Sequence, residues 1–227
     1  MSVLIDDIEL LRANGNAVVS AQIYLGLDER HLLDHELSWR PPMLQAARSA
    51  RLRCTDAQGN VDVAKFATEL ARLRLEDFHW DWRRLNAIFA VRSGCLTLAI
   101  ECDGHAQGFM IVDTENHASR LQPKGQTIAY VEFLTSAPWN RGTFIPTVQF
   151  GLTGYALVAT AISVSRNSLD GRVGLHSVSG SVSFYANKCG MTSLGPDATK
   201  KGMVYLEMSA QQADAFIAKL AARRGAP

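Results

Sequence analysis

The chain has 227 residues, enough for one substantial core or for a core with an added subdomain. Its formal net charge is +1, so charge gives no argument for nucleic acid, a membrane surface or a strongly acidic partner. The sequence holds no apolar run near the roughly 20 residues of a membrane helix, and no early stretch resembles a signal peptide. We expect a cytoplasmic protein.

Residues 1–90 are predicted to form a mostly helical region, packed on or contributing to the core of a domain at residues 91–227. Apolar residues in Val3–Leu11 recur at helical spacing, and those in Val63–Leu73 form a clear helical stripe. The pair Pro41-Pro42 is expected to stop any helix that enters it.

Strand signals begin early and strengthen after residue 90. The segment Asn16–Leu25, which follows the turn signal Asn14-Gly15, is a candidate first strand. Leu96–Cys102 and Ala106–Val112 flank Asp103-Gly104, which predicts a β-hairpin.

Strands and helices alternate in the rest of the chain. This order predicts a mixed α/β layer with helices on both faces, in which strands joined by a crossover helix run parallel. The predicted elements are a strand at Ile128–Ser136 ended by Pro138, a helix late in Thr147–Ser165, a strand at Arg172–Val178, a strand at Met203–Met208 and a helix after the capping box Ser209–Gln212.

A glycine-containing loop, Gln149–Gly154, precedes the aliphatic helix that begins near Tyr155. Glycines allow backbone N–H groups to approach a phosphate closely, and a helix N-terminus favours negative charge. The loop therefore predicts phosphate binding. Further along, the strand Arg172–Val178 runs into a short predicted helix, with Ser179 as its N-cap, that carries Phe184-Tyr185 and closes at Cys189-Gly190.

Taken in order, the strand Tyr130–Ser136, the loop Gln149–Gly154 and the segment Gly171–Gly190 resemble the acetyl-CoA site of GNAT N-acetyltransferases. The loop departs from the family's motif, because its middle position is Leu152 and a glycine is displaced to Gly151. The resemblance implies an α/β fold with a mixed, mostly antiparallel sheet and one parallel strand pair. We expect that pair to splay near Thr135 and Leu175 to admit the cofactor.

The same resemblance implies roles for individual residues. The pantetheine arm would follow one strand, whose amide near Leu134 or Thr135 would also hold the oxyanion, and Tyr185 would face the cofactor sulfur and protonate the thiolate. Ser179 stands where family members often carry a cofactor-contacting Asn. The residues expected to bind acetyl-CoA are Phe133, Leu134, Thr135, Gln149, Gly151, Leu152, Thr153, Gly154, Tyr155 and Ser179.

The general base is left open between Glu132 and His176, or neither. An amine acceptor is protonated at neutral pH and must lose a proton before it attacks the thioester. Glu132, on the strand expected to hold pantetheine, could accept that proton directly or through water, whereas His176 has an ordinary pKa near working pH. The segment Phe78–Trp82 could line an acceptor pocket or anchor a helix by aromatic packing, and Trp139 could border the acceptor or anchor its loop.

The leading hypothesis is direct acetyl transfer from acetyl-CoA to an unidentified amine, without a metal. An acyl-CoA-binding sensor or partner-binding module is the alternative, and a toxin that acetylates a macromolecule ranks lower. A homodimer is left open. Cys54, Cys95, Cys102 and Cys189 show no pairing or metal-ligand spacing, which favours buried or free thiols.

Overall fold

The computed structural model describes residues 2–12, 17–142 and 148–224. Its strands are β1 Val3–Arg12, β2 Ala17–Leu25, β3 Cys95–Cys102, β4 His105–Asp113, β5 Ala129–Ser136, β6 Phe150–Gly151, β7 Val173–Ser177, β8 Thr192–Asp197 and β9 Met203–Met208. Its α-helices are α1 Glu29–Asp34, α2 Arg40–Arg53, α3 Val63–Leu73, α4 Trp82–Phe89, α5 Thr153–Arg166 and α6 Ala210–Arg224. All the strands belong to one sheet, in the order β6-β1-β2-β3-β4-β5-β7-β9-β8.

The first segment is a strand, so the helix expected from the spacing in Val3–Leu11 is wrong. β1 pairs antiparallel with β2 along its length, and within it only Leu10 is buried. The apolar positions therefore form no buried helical face, and strand pairing satisfies the backbone instead. The strand expected within Asn16–Leu25 is confirmed as β2, while the turn at Asn14-Gly15 lies outside the described residues.

The prolines do not stop the second helical segment, and that prediction is also wrong. α1, a π-helical turn at His35–Trp39 and α2 follow one another without a break. Pro41-Pro42 lie in the first turn of α2, where a missing N–H removes few helical bonds and the fixed φ suits the helix. The wider π turn, closed by the N–H of Arg40 on the carbonyl of His35, precedes them.

Helices cover both faces of the sheet, as predicted. α5 and α6 bury one face in a large aliphatic core that includes Leu157, Ile162 and Phe216. The opposite face carries α1, α2 and α4 over an aromatic cluster, in which the Trp39 and Phe109 rings stack at 4.6 Å. Within the described parts of the chain, no helix combines the length and apolar character needed to cross a bilayer.

Two local signals are confirmed, the hairpin turn at Asp103-Gly104 and the capping box at Ser209–Gln212. Asp103 and Gly104 take φ values of 55° and 76°, the left-handed pair of a tight hairpin between β3 and β4. At the start of α6, the Ser209 N–H donates to the side chain of Gln212, whose own N–H donates to the Ser209 hydroxyl, so the capping box is confirmed.

Candidate active site

The parallel strands β5 and β7 separate after three residue pairs. They pair at Ala129–Val173, Tyr130–Gly174 and Val131–Leu175, and β5 then continues to Ser136 without β7. β4 still pairs with β5 on its other side. Among the described residues, the β7-facing edge of 132–136 thus has no strand partner, and its backbone groups are available to a ligand. The expected splay is confirmed, although it begins at Val131 rather than near Thr135.

A cavity of about 720 Å³ occupies this wedge. It is lined from both faces of the sheet, because Leu175 packs in the core beneath α5 whereas the next residue, His176, points to the opposite face. The cavity therefore connects the first turn of α5 to a group of polar side chains across the sheet. Its volume suits a small molecule or cofactor.

The loop before α5 has the backbone expected of an anion site. Leu152 has φ 70°, a left-handed conformation, at the position where the resembled motif carries glycine. The first-turn residues Thr153, Gly154 and Tyr155 line the cavity with Gly151, and the leading amides of a helix have no partner within it. A Cβ atom on Gly154 would lie 3.1 Å from the Phe184 ring, so little room remains there.

A buried ion pair joins the N-terminal region to the end of β5. The Arg141 guanidinium donates to both carboxylate oxygens of Asp77 at 2.7 Å, and Thr135 donates to the same carboxylate at 2.5 Å. Burial alone would raise the pKa of Asp77, but the charge and hydrogen bonds of Arg141 outweigh it and the pKa is lowered. Asp77 is therefore an ionised structural anchor beside the cavity.

The neighbouring acid, Glu76, holds the other arm of the wedge. Its carboxylate accepts the Ser179 hydroxyl at 2.8 Å and the Gly180 N–H at 3.0 Å. Ser179 does not cap a regular helix: residues 179–181 form one 3₁₀ turn and 184–188 a π-helical turn, so that prediction is wrong. Ser179 lies outside the main cavity, with its hydroxyl engaged by Glu76.

A register shift in β5 isolates Glu132 at the base of the wedge. Ile111 pairs with Phe133 and Val112 with Val131, so Glu132 is the extra residue of a β-bulge. Its carboxylate lies 3.2 Å from His117 Nε2. Asp113 is close enough to complete a three-residue cluster, but its oxygens already accept from the amides of residues 115 and 116 and the Asn116 side chain. This arrangement suits proton transfer between a carboxylate and an imidazole.

A second polar group lies beside it on the same face. The Tyr130 hydroxyl is 2.5 Å from His176 Nδ1, and His176 Nε2 is 3.1 Å from Asp197. The His117 ring stacks on Tyr130 at 3.8 Å. Burial lowers the pKa of His176 despite the opposing effect of Asp197. His176 is therefore neutral near pH 7.

Tyr185 is buried against the cavity and has no side-chain hydrogen bond within the described residues. Burial, and then the charges that Cys189 and Asp77 can carry, raise the pKa of its hydroxyl. It therefore keeps its proton at neutral pH and can act as a donor. Cys189 is itself buried, which raises the pKa of its thiol to about 12 and fits a packing role.

The cavity brings together most of the residues expected from the sequence. Gln149 is exposed and, like Ser179, lies outside the lining. The expected residues that line the cavity are Glu132, Phe133, Leu134, Thr135, Gly151, Leu152, Thr153, Gly154, Tyr155, His176 and Tyr185.

The aromatic segment Phe78–Trp82 has residues in both expected positions, one at the cavity wall and one in the aromatic packing. Trp80 lines the cavity and meets Phe133 edge-on at 4.9 Å, whereas Trp82 is buried in the aromatic core. Asp81 caps α4 by accepting the Arg84 N–H, so its carboxylate is not free for an acceptor. Trp139 anchors its loop, because its indole N–H donates to Gln107 at 2.8 Å and its ring packs in the same core.

Sequence reasoning missed Asp77, Arg141, His117 and Tyr130. His117 and Arg141 lie outside regular strands, and their partners are distant in sequence, so spacing carries no signal for them. Tyr130 could have been found, because it lies on the same strand as Glu132, and its register partner Gly174 lies two residues before His176.

Comparisons with known proteins concern the fold. No protein-family model and no curated protein matches the chain. An uncharacterized protein from Bacillus halodurans superposes with a TM-score of 0.52 at 10% identity, over 94% of this chain and 95% of that one. The GNAT domain of S. lividans PAT gives 0.46 at 12%, over 89% and 96%. PaiA N-acetyltransferase from Thermoplasma acidophilum, in complex with coenzyme A, gives 0.41 at 16%, over 83% and 98%.

Proposed function

We propose that this chain, which has the GNAT fold, transfers an acetyl group from acetyl-CoA to an amine. The observation that carries the proposal is the separation of β5 from β7 after Val131 and Leu175, with the N-terminus of α5 at the same cavity. An amide-containing pantetheine arm can pair with the free edge of β5 as an added strand would. The pyrophosphate then meets the amides of Thr153–Tyr155.

Two lining residues supply the acid–base chemistry in this proposal. Glu132, with His117 as its partner, takes a proton from the ammonium form of the acceptor. The amine attacks the thioester carbonyl, whose oxyanion is held by a backbone N–H of β5 near Leu134 or Thr135. Tyr185 donates a proton to the departing thiolate. Transfer is direct, because none of the described cysteines lines the cavity, and burial raises the pKa of Cys95 to about 11 and that of Cys189 to about 12.

The acceptor end of the cavity combines an aromatic wall with carboxylate. Trp80 and Phe133 supply the apolar surface, and Glu132 supplies negative charge. Such a surface suits a cationic amine on an apolar stem. This favours a primary amine acceptor over a neutral alcohol.

The proposal is tested by titrating acetyl-CoA and coenzyme A into the protein by calorimetry. Release of coenzyme A thiol is then followed with four amines: spermidine, kanamycin, a peptide with a free N-terminus and Nα-acetyl-lysine. Binding together with amine-dependent thiol release supports the transferase. Binding without turnover on any amine supports the acyl-CoA sensor instead, and no binding at all overturns both.

A further inference from the structure

The proposed reaction must remove two protons from the acceptor nitrogen, but Glu132 and His117 account for one. An ammonium group loses the first proton before it attacks. The nitrogen becomes positively charged again when it bonds to the carbonyl carbon, and it must lose a second proton to become the nitrogen of an amide. A group that accepts this second proton is needed only if the proposed function holds.

Tyr130 lies at the floor of the wedge, opposite Gly174 and one pair before β5 and β7 separate. It lines the cavity together with His176. A Cβ on Gly174 would lie 2.6 Å from Ile128 and 2.8 Å from the Tyr205 hydroxyl, so glycine is required for this close packing. Tyr130 lies two residues before Glu132 on the same face of the sheet, because the His117 ring that reaches the Glu132 carboxylate also stacks on Tyr130.

The charge of Asp197 determines which atoms donate and which accept in the hydrogen bonds that join Tyr130, His176 and Asp197. Hydrogen bonds from Thr199, Arg120 and His176 lower the pKa of Asp197, so its carboxylate is ionised and can only accept. His176 Nε2 must then carry the proton directed at Asp197. In a neutral imidazole Nδ1 is therefore the acceptor, and the Tyr130 hydroxyl donates to it at 2.5 Å.

We propose that Tyr130, His176 and Asp197 form a proton relay that removes the second proton from the acceptor nitrogen. The N–H bond breaks as a new O–H bond forms at Tyr130, while the hydroxyl's own proton moves to His176 Nδ1. The carboxylate of Asp197 stabilises the resulting imidazolium. After the products leave, the proton returns along the same path to water in the open cavity. Tyr130 is catalytic, and the other two are positioning residues.

Charges around His176 define how the relay responds to pH. Asp197 favours the imidazolium, whereas burial, Arg120 and Lys200 oppose it. The Tyr205 ring packs on the imidazole at 4.9 Å, and Tyr130 faces its other nitrogen. The pKa of His176 is lowered, so the relay accepts protons at neutral pH and fails as pH falls through that value. Asp197→Asn should weaken the base and move this acid limb to lower pH.

The test compares Tyr130→Phe with Tyr205→Phe, using the amine that the wild type acetylates fastest. Both tyrosines are buried on the same face, but the Tyr205 hydroxyl donates to Glu207 instead of His176. Tyr130→Phe should lower kcat by about 100-fold, with acetyl-CoA affinity within about twofold, whereas Tyr205→Phe should stay near the wild type. If the wild type is active and Tyr130→Phe is equally active, the relay is overturned and the proposed function is not. Equal losses of kcat in the two variants lead to the same conclusion.

A second measurement does not depend on turnover. The ¹⁵N NMR shifts of the His176 ring should show Nε2 protonated and Nδ1 as acceptor, and Tyr130→Phe should change the Nδ1 shift. A proton on Nδ1 in the neutral protein contradicts the relay. A wild type that acetylates none of the four amines overturns the proposed function, and the relay's catalytic role with it.

Discussion

Asp77 and Arg141 form an ion pair through two parallel 2.7 Å hydrogen bonds, with both side chains largely buried. The same guanidinium also donates to the carbonyls of Arg74 and Ser136. This pair fastens the loop between α3 and α4 to the segment that follows β5. Because the buried guanidinium has so many hydrogen-bond partners, we expect loss of the ion pair to lower the free energy of unfolding substantially.

Asp77→Asn should destabilise the protein by about 3–5 kcal/mol, because it leaves a buried guanidinium uncompensated. Removing both charges in Asp77→Asn/Arg141→Gln should cost less than either single change. Urea unfolding measures these differences. The pKa of Asp77 is lowered in the folded state, so the wild-type advantage should be complete above its ordinary value of 3.8 and should shrink as pH falls. An advantage that is independent of pH in that range would contradict the assignment.

Leu152 allows a test of backbone strain by two variants that lose nearly the same side-chain contacts. Leu152→Ala and Leu152→Gly remove the same packing but differ in their tolerance of φ 70°. Glycine should be more stable by about 1 kcal/mol, the reverse of the order at ordinary positions. Thermal unfolding of the two variants gives the sign, and a more stable alanine variant would show that the loop has another conformation.

Gly154 and Gly151 provide a matched pair at the expected pyrophosphate. A Cβ on Gly154 meets the Phe184 ring at 3.1 Å, whereas one on Gly151 meets Leu11 at an ordinary 3.7 Å. Gly154→Val should abolish acetyl-CoA binding in calorimetry, and Gly151→Ala should weaken it much less, because its Cβ makes only an ordinary contact. Wild-type affinity in Gly154→Val would refute the placement of the pyrophosphate.

Glu132→Gln should lower kcat by about 100-fold at neutral pH, because an amide cannot accept the ammonium proton. Acetyl-CoA affinity should change little, since the bulge backbone is retained. Glu132→Asp should recover part of the rate by restoring a carboxylate. The measurement is kcat as a function of pH for the wild type and the two variants. A pH dependence of kcat in Glu132→Gln that matches the wild type eliminates Glu132 as the base.

Tyr185→Phe should lower kcat by about tenfold at pH 7 and leave acetyl-CoA affinity within a few fold. The loss should shrink above about pH 8.5, where the thiol of coenzyme A leaves as a stable thiolate without a proton donor. Rates at pH 7 and 9 test this. A large loss of affinity would mean that the ring packs and the hydroxyl does not react.

Local patterns were sufficient for the central strands but not for their arrangement. Alternation and Pro138 correctly predicted β5, and Asp103-Gly104 predicted the hairpin between β3 and β4. The mixed, mostly antiparallel sheet with one splayed parallel pair was expected from the resemblance, not from local patterns, and the structure confirms it. β8 was missed because Gly195 and Pro196 interrupt its strand pattern.

The site depends on contacts that no local pattern records. Asp77 and Arg141 are 64 positions apart, and the bulge at Glu132 exists only in register with β4. The left-handed Leu152 is invisible to sequence rules, which reserve that conformation for glycine or asparagine. The division of the chain at residue 90 stays a prediction, although β1 and β2 join the common sheet.

Glu76 and Asp77 are consecutive, yet one grips the turn after β7 and the other the turn after β5. The two turns that border the mouth of the cleft are therefore linked through this one dipeptide. A donor molecule that enters the cleft must either fit beneath Glu76 and Asp77 or displace them together with α3 and α4. Occupancy of the cleft should therefore register as slower amide hydrogen exchange in those helices.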